Sequence, residues 1–135
     1  MIKKIIYSLV FLGFLGASFG LYMFNKPLES INSMSTDFSL TSDSLLGYFE
    51  TNEELANKKY LDKVIEVSGE VDKIKKEGEK MAVYLATENP MSNIITQFEK
   101  DDPSIKTGQS ITVKGICTGY LMDVVLVRGK KIIHK

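Results

Sequence analysis

Val64-Ile65-Glu66-Val67-Ser68-Gly69-Glu70-Val71 puts Ile65, Val67, Gly69 and Val71 on one face and Glu66, Ser68 and Glu70 on the other. A period of two marks a strand with one buried face. Gly69 inside it points to a bend or a close backbone approach, as occurs at a barrel corner. The same alternation recurs downstream. Met81, Val83 and Leu85 alternate with Ala82 and Tyr84 in a second strand, after a charged turn from Lys73 to Lys80 that contains Gly78. Ile94, Thr96 and Phe98 form a third, weaker strand. Glu99 to Gly108 reads as an acidic loop around Pro103, with at most one helical turn. Ile111, Val113, Gly115 and Cys117 give the inward face of a fourth strand. Val124 to Val127 gives a fifth, extended past an Arg128-Gly129 turn by Ile132 and Ile133.

Upstream of the first strand the period becomes helical. Leu45, Phe49, Ala56 and Tyr60 share one face of a helix over about 42–59, while Glu50, Glu53, Glu54, Lys58 and Lys59 take the others. Thr41 or Ser42 caps its start, and Asp43 sits favourably at its positive end. Five short strands with polar turns and one flanking helix predict a mainly β fold, a small closed antiparallel barrel. The long, glycine-bent first strand, shared between two halves of the sheet, favours the five-stranded Greek-key OB type. The barrel with its helix is expected over 41–135, behind a polar linker over 26–40.

Two motifs resemble the tRNA-anti-like family of OB-fold proteins, which occur behind a membrane segment in bacterial sequences. One is Asn52-Glu53-Glu54-Leu55-Ala56-Asn57-Lys58-Lys59-Tyr60-Leu61-Asp62-Lys63-Val64-Ile65-Glu66-Val67-Ser68-Gly69-Glu70-Val71, joining helix to first strand. The other is Lys114-Gly115-Ile116-Cys117-Thr118-Gly119-Tyr120-Leu121-Met122-Asp123-Val124-Val125-Leu126, joining the fourth strand to the fifth; Asn25-Lys26-Pro27 also matches. The resemblance covers essentially residues 25–133 and implies a five-stranded OB barrel. It implies little about activity, because the family is named for likeness to an anticodon-binding fold. Some members carry cysteines in the third strand and near the end. Here Thr96 stands at the third-strand position and the end has none, so a disulfide or metal reading does not carry over.

The first 25 residues have a different character. Ile5 to Phe24 contains no charged side chain, and eleven of its twenty residues are Leu, Ile, Val or Phe. Crossing a hydrocarbon core takes about 20 helical residues. Those eleven contribute roughly 3–7 kcal/mol towards insertion. Residues 1–25 therefore read as a single-pass transmembrane anchor, with a cleaved signal peptide as the rival. A signal's apolar stretch is short and ends at a small-x-small site; here apolar residues continue past Ser18 and Gly20. Lys3 and Lys4 place the amino terminus in the cytoplasm and the remainder outside it. Pro27 stops the helix. No cysteine lies near the stretch, which excludes lipid attachment there.

Outside Lys3 and Lys4 the chain carries 15 basic against 17 acidic side chains, about −2 net. A domain that lives on phosphate contacts shows a basic excess, so tight nucleic-acid binding is disfavoured. One cysteine and one histidine make no internal disulfide and no zinc set. Cys117 reads as a small buried hydrophobe, and His134 stands at the chain end. The Asn52-Glu53-Glu54 cluster reads as a solvated helix face. Lys73, Lys75, Lys76 and Lys80, interrupted by Glu77 and Glu79, read as an exposed hairpin. Asp123 suits a turn, where its carboxylate bonds backbone N–H groups. The candidate ligand contacts are Tyr84, on the outward side of the second strand, with Lys80, Tyr120 and Asp123. OB barrels bind over strands two and three. No catalytic residue, cofactor pattern or metal set emerges. The expectation is a non-enzymatic binding module in the envelope for an unidentified protein or small ligand, with single-stranded nucleic acid as the alternative.

Overall fold

The computed structural model describes residues 1–134. The elements, in chain order, are α1 (Ile2–Asn25), β1 (Phe38–Thr41), α2 (Ser42–Thr51), α3 (Glu53–Tyr60), β2 (Val64–Glu77), β3 (Lys80–Leu85), β4 (Ile94–Phe98), β5 (Ser110–Leu121) and β6 (Asp123–Ile132). β2 is the organising strand. Its first half pairs antiparallel with β5 (Val67 opposite Val113) and its second half with β3 (Ile74 opposite Val83). β3 pairs β4, β4 runs parallel to β6, and β6 returns to β5. The circuit β2-β3-β4-β6-β5 closes on itself, giving the five-stranded OB barrel. Closure removes most free edges and encloses Ile65, Val67, Val83, Leu85, Ile94, Val113, Cys117, Val124 and Leu126, all fully buried. Apart from Val124 and Leu126, whose strand was given no face, those inward positions are the ones that alternation assigned to the core. Gly69 is a close approach: a Cβ there would lie 2.8 Å from Ser42 Oγ, whose hydroxyl donates to the Ala86 carbonyl (2.7 Å).

Several boundaries differ from the sequence reading. The single helix over about 42–59 is two helices, broken at Asn52. The Asn52 N–H closes α2 onto the Tyr48 carbonyl, while its side-chain oxygen accepts the Leu55 N–H and opens α3. One residue thus serves as the cap of both helices. The break lets Leu45, Leu46 and Phe49 of α2 and Ala56 and Tyr60 of α3 cover the same end of the barrel. Thr41 caps α2, accepting the Ser44 N–H.

The charged turn from Lys73 to Lys80 is strand up to Glu77. Only Gly78 and Glu79 turn, with Gly78 at φ 62°, a conformation glycine adopts at the first central position of a tight hairpin. The Gly119-to-Asp123 turn shrinks likewise to Met122 alone, since Leu121 pairs with Asp123. Arg128-Gly129 is a bulge within β6, two residues opposite Gly115, and the strand continues unbroken to Ile132. Ile133 lies beyond the strand and is exposed.

Where 26–40 reads as a polar linker, the chain is in large part fastened to the barrel. Arg128 donates to the Glu29 carbonyl, and Ile31 is buried. Lys114, outward by alternation, is covered by this strap and donates to the Met34 carbonyl (2.6 Å). Thr36 donates to Glu66 (2.6 Å), and Asp37 accepts the Val64 N–H (2.9 Å). The strap ends in β1, which runs parallel to β2 at the sheet edge. Its polar residues satisfy backbone groups one by one, a pattern without a period. In front of it, α1 is 24 residues long with mean hydropathy 1.8 in its most apolar window, and none of its residues is covered by the rest of the protein.

Candidate functional site

The outer face of β3 and β4 forms a cross-strand row. Lys73 of β2 lies opposite Tyr84, Tyr84 opposite Ile95, and Ile95 opposite Val125 of β6. Tyr84 occupies the outward position because Val83 and Leu85 fill the barrel on either side of it. Its ring is half-buried under two ammonium groups: Lys73 Nζ is 4.5 Å and Lys75 Nζ 5.3 Å from the ring centroid. Cations over an aromatic face are attracted by about 0.5–1 kcal/mol each at exposed sites. Beside the ring lies a groove of about 360 Å³ whose polar lining is Lys75, Glu77, Lys80, Tyr84 and Gln97, with Phe98 at its apolar side.

Of the four candidate contacts, Tyr84 and Lys80 come together in that groove. Tyr120 and Asp123 are not among its lining residues. Tyr120 stacks on Phe49 of α2, ring centroids 5.6 Å apart at 30°. Its hydroxyl titrates above the usual phenol range, first through desolvation and then through the charges of Glu50, Glu53 and Asp123. Asp123 accepts the Asn93 N–H at 2.7 Å, so its carboxylate holds a backbone group 30 residues away rather than one in its own turn. Lys73 and Lys75, grouped in the sequence with the exposed hairpin, are the members of the face that reasoning from charge runs missed. Their alternation with the half-buried Ile74 was the signal, masked by Lys76, Glu77 and Glu79.

The remaining chemically distinctive groups do not meet. Cys117 is fully buried, and burial raises its thiol pKa, which favours the unreactive form. Glu53 and Glu54 are exposed, Glu54 pairing with Lys58 at 2.9 Å along the helix. No group of three metal-ligating side chains occurs among the described residues. A larger depression, about 910 Å³, lies across β2, β5 and the start of α2, with His134 among its lining residues. It is open, and its inner hydroxyls are already spent: Ser68 bonds Thr112 (2.8 Å) and Ser42 bonds the Ala86 carbonyl. Size alone therefore does not make it the site; the Tyr84 face concentrates the unsatisfied binding chemistry. A third aromatic group, Phe38, Tyr48 and Tyr60, surrounds Lys59 Nζ at 5.6, 5.1 and 5.1 Å and is filled from within the chain.

Fold and face together define a small OB-barrel protein carrying an apolar amino-terminal helix. The model of the tRNA_anti-like family matches residues 1–131, and the chain belongs to that family. Among solved structures it is similar to a provisionally named nucleic acid-binding lipoprotein from Klebsiella pneumoniae. The two share 20% identity over 80% of this chain and 100% of that one, with a TM-score of 0.56. A provisionally named aspartyl-tRNA synthetase from Leishmania major matches at 14% identity and a TM-score of 0.47, over 85% of this chain and 24% of that one. At these identities the likeness shows the fold alone. No curated protein matches the chain.

Proposed function

We propose that this protein is a membrane-anchored, non-enzymatic binding module whose OB barrel stands outside the cytoplasm and takes an anionic ligand on its Tyr84 face. The observation that carries the ligand class is the pair of lysines over the Tyr84 ring. An arriving anion draws the ammonium groups off the ring and leaves a flat apolar surface beside two cations. Such a surface suits a ligand with both a negative group and a planar or apolar part. Binding rather than catalysis is favoured because Lys75, Glu77, Lys80, Tyr84 and Gln97 of the groove form no nucleophile–base hydrogen bond with one another.

Anchoring is supported by α1. Its 24 residues span about 36 Å. Its apolar side chains are uncovered on every side, and water is a poor solvent for such a surface. Lys3 and Lys4 favour a cytoplasmic amino terminus. Reporter enzymes fused to the carboxy terminus test the placement: activity of an export-dependent reporter supports it, and activity of a cytoplasmic reporter alone overturns it.

Single-stranded nucleic acid is the second reading, favoured by the lysine-and-tyrosine face and by the name of the Klebsiella neighbour. Stacking platforms combine several aromatics with a basic groove, whereas Tyr84 is the one aromatic ring exposed on this face. Titrating the isotope-labelled full chain in nanodiscs with single-stranded DNA, RNA and an anionic polysaccharide separates the readings. Saturable, steeply salt-dependent binding of the oligonucleotides alone, lost in Tyr84→Ala, supports nucleic acid. Chemical-shift changes confined to positions away from Lys73, Tyr84, Ile95 and Gln97 overturn the proposed face.

A further inference from the structure

The charges of the barrel are sorted along its axis. Its lower end consists of the β2–β3 hairpin, the loop after β4 and the last part of β6, tied together by a Lys76–Asp101 ion pair (2.7 Å) and by Lys131 donating to Ser104 (3.4 Å). Residues 73–80, 99–108 and 128–131 there carry nine basic and five acidic side chains, net +4. The upper end, residues 42–63, 86–93 and 120–123, carries three basic and seven acidic side chains, net −4. The strap from α1 arrives at the positive end: Arg128 holds the Glu29 carbonyl, and Leu28 and Ile31 line a groove of about 550 Å³ with Lys100 and Lys130 and with Glu99, Asp101 and Asp102, of which Asp101 is paired with Lys76. Only three residues separate the end of α1 at Asn25 from Glu29, four Cα-to-Cα steps with a reach of at most about 14 Å. That is comparable to the screening length of about 8–10 Å at physiological salt.

From this sorting we infer that the lower end of the barrel, through Lys100, Lys106, Arg128 and Lys130, seats on the headgroup layer of an anionic lipid bilayer. The inference rests on the reading of α1 as a membrane anchor. The tether delivers the basic end to the lipid and turns the acidic end away, so the orientation is set by charge as well as by length. Each lysine or arginine near an anionic surface shifts the seating equilibrium about fivefold. Leu28, 77% exposed beside the tether, adds an apolar contact at the same level. Phe98 lines both this groove and the one beside Tyr84, so the proposed ligand face opens next to the lipid.

The test uses the full chain in nanodiscs of phosphatidylcholine alone or with phosphatidylglycerol. A donor dye is placed at Thr107→Cys (lower end) or Glu54→Cys (upper end), with an acceptor on the lipid headgroups; Cys117 is buried and stays unlabelled. Expected is a rise in energy transfer from the Thr107 site in anionic discs, reversed by high salt, with little change from the Glu54 site. Lys100→Gln, Lys106→Gln and Lys130→Gln together weaken the seating on the order of a hundredfold and abolish the rise. Equal transfer in neutral and anionic discs, or a rise that survives the triple variant, overturns the seating while the anchor stands. A chain that enters neither disc overturns the anchor and the seating with it.

Discussion

Thr96 offers a sharp test of how the barrel interior is built. It lies on β4 between Val83 and Leu126, fully buried, and its hydroxyl has no hydrogen-bond partner among the described residues. A buried hydroxyl without a partner costs about 1–3 kcal/mol relative to the same group in water. Valine has the same shape with a methyl in place of the hydroxyl, and its strand preference is as good. Thr96→Val therefore stabilises the fold by about 1–2 kcal/mol, after allowing for partial relaxation around the polar atom. In a domain of this size each kcal/mol raises Tm by about 4–8 °C. Thr96→Ser is the control, since it keeps the unsatisfied hydroxyl and removes a buried methyl, costing about 1 kcal/mol. The chain has no tryptophan, so unfolding is followed by circular dichroism of the full chain in mild detergent, by heat and by denaturant. A valine variant equal to or less stable than the parent, with unchanged denaturant slope, refutes the reasoning and means that the hydroxyl is satisfied.

Three other outcomes follow from single contacts. Gly129→Ala places a methyl 2.3 Å from Thr96 Cγ2 and 3.0 Å from the Gln97 carbonyl, and overpacking of this kind costs about 1–3 kcal/mol in a denaturant melt. Asp123→Ala frees the Asn93 N–H, lowering stability by about 1.5–3 kcal/mol and speeding amide exchange at Asn93, just before β4, above that of the strand itself. The Ser104 hydroxyl, followed by its N–H, holds the Asp102 carboxyl below its ordinary range. A depressed native pKa gives stability that is present above the unfolded value and lost as pH falls through the native one. Ser104→Ala thus raises the Asp102 pKa in a carboxyl NMR titration and flattens the acid limb of the stability curve.

The strands were legible because each has one face in the barrel, and burial on one side imprints a period of two on the sequence. The protruding half of β2 was not, because beyond Val71 both of its faces meet water apart from Ile74, and charges on both faces look like a turn. The break between α2 and α3 hid for a related reason. Leu45, Phe49, Ala56 and Tyr60 keep a near-helical spacing across it, and only the dual capping by Asn52 reveals the interruption. Of the candidate site, Tyr84 was legible from its outward position on a strand and Lys80 from its place in the turn just before that strand. Lys73 and Lys75 join them only through the register of β2 against β3.

Taken alone, the order of residues determined the local quantities: an apolar run long enough to cross a bilayer, the inward faces of four strands, and a glycine that marks a bend or close backbone approach in the first of them. Those follow from nearest neighbours and from the partition of side chains between water and an apolar phase. The folded molecule decided which distant residues meet. The strap laid over β5 buries Lys114, the register of β2 against β3 brings two lysines over one tyrosine, and closure of the barrel gathers scattered basic residues at the end where the strap arrives. No local pattern encodes such meetings, because they depend on strand register and on the path of the chain through space.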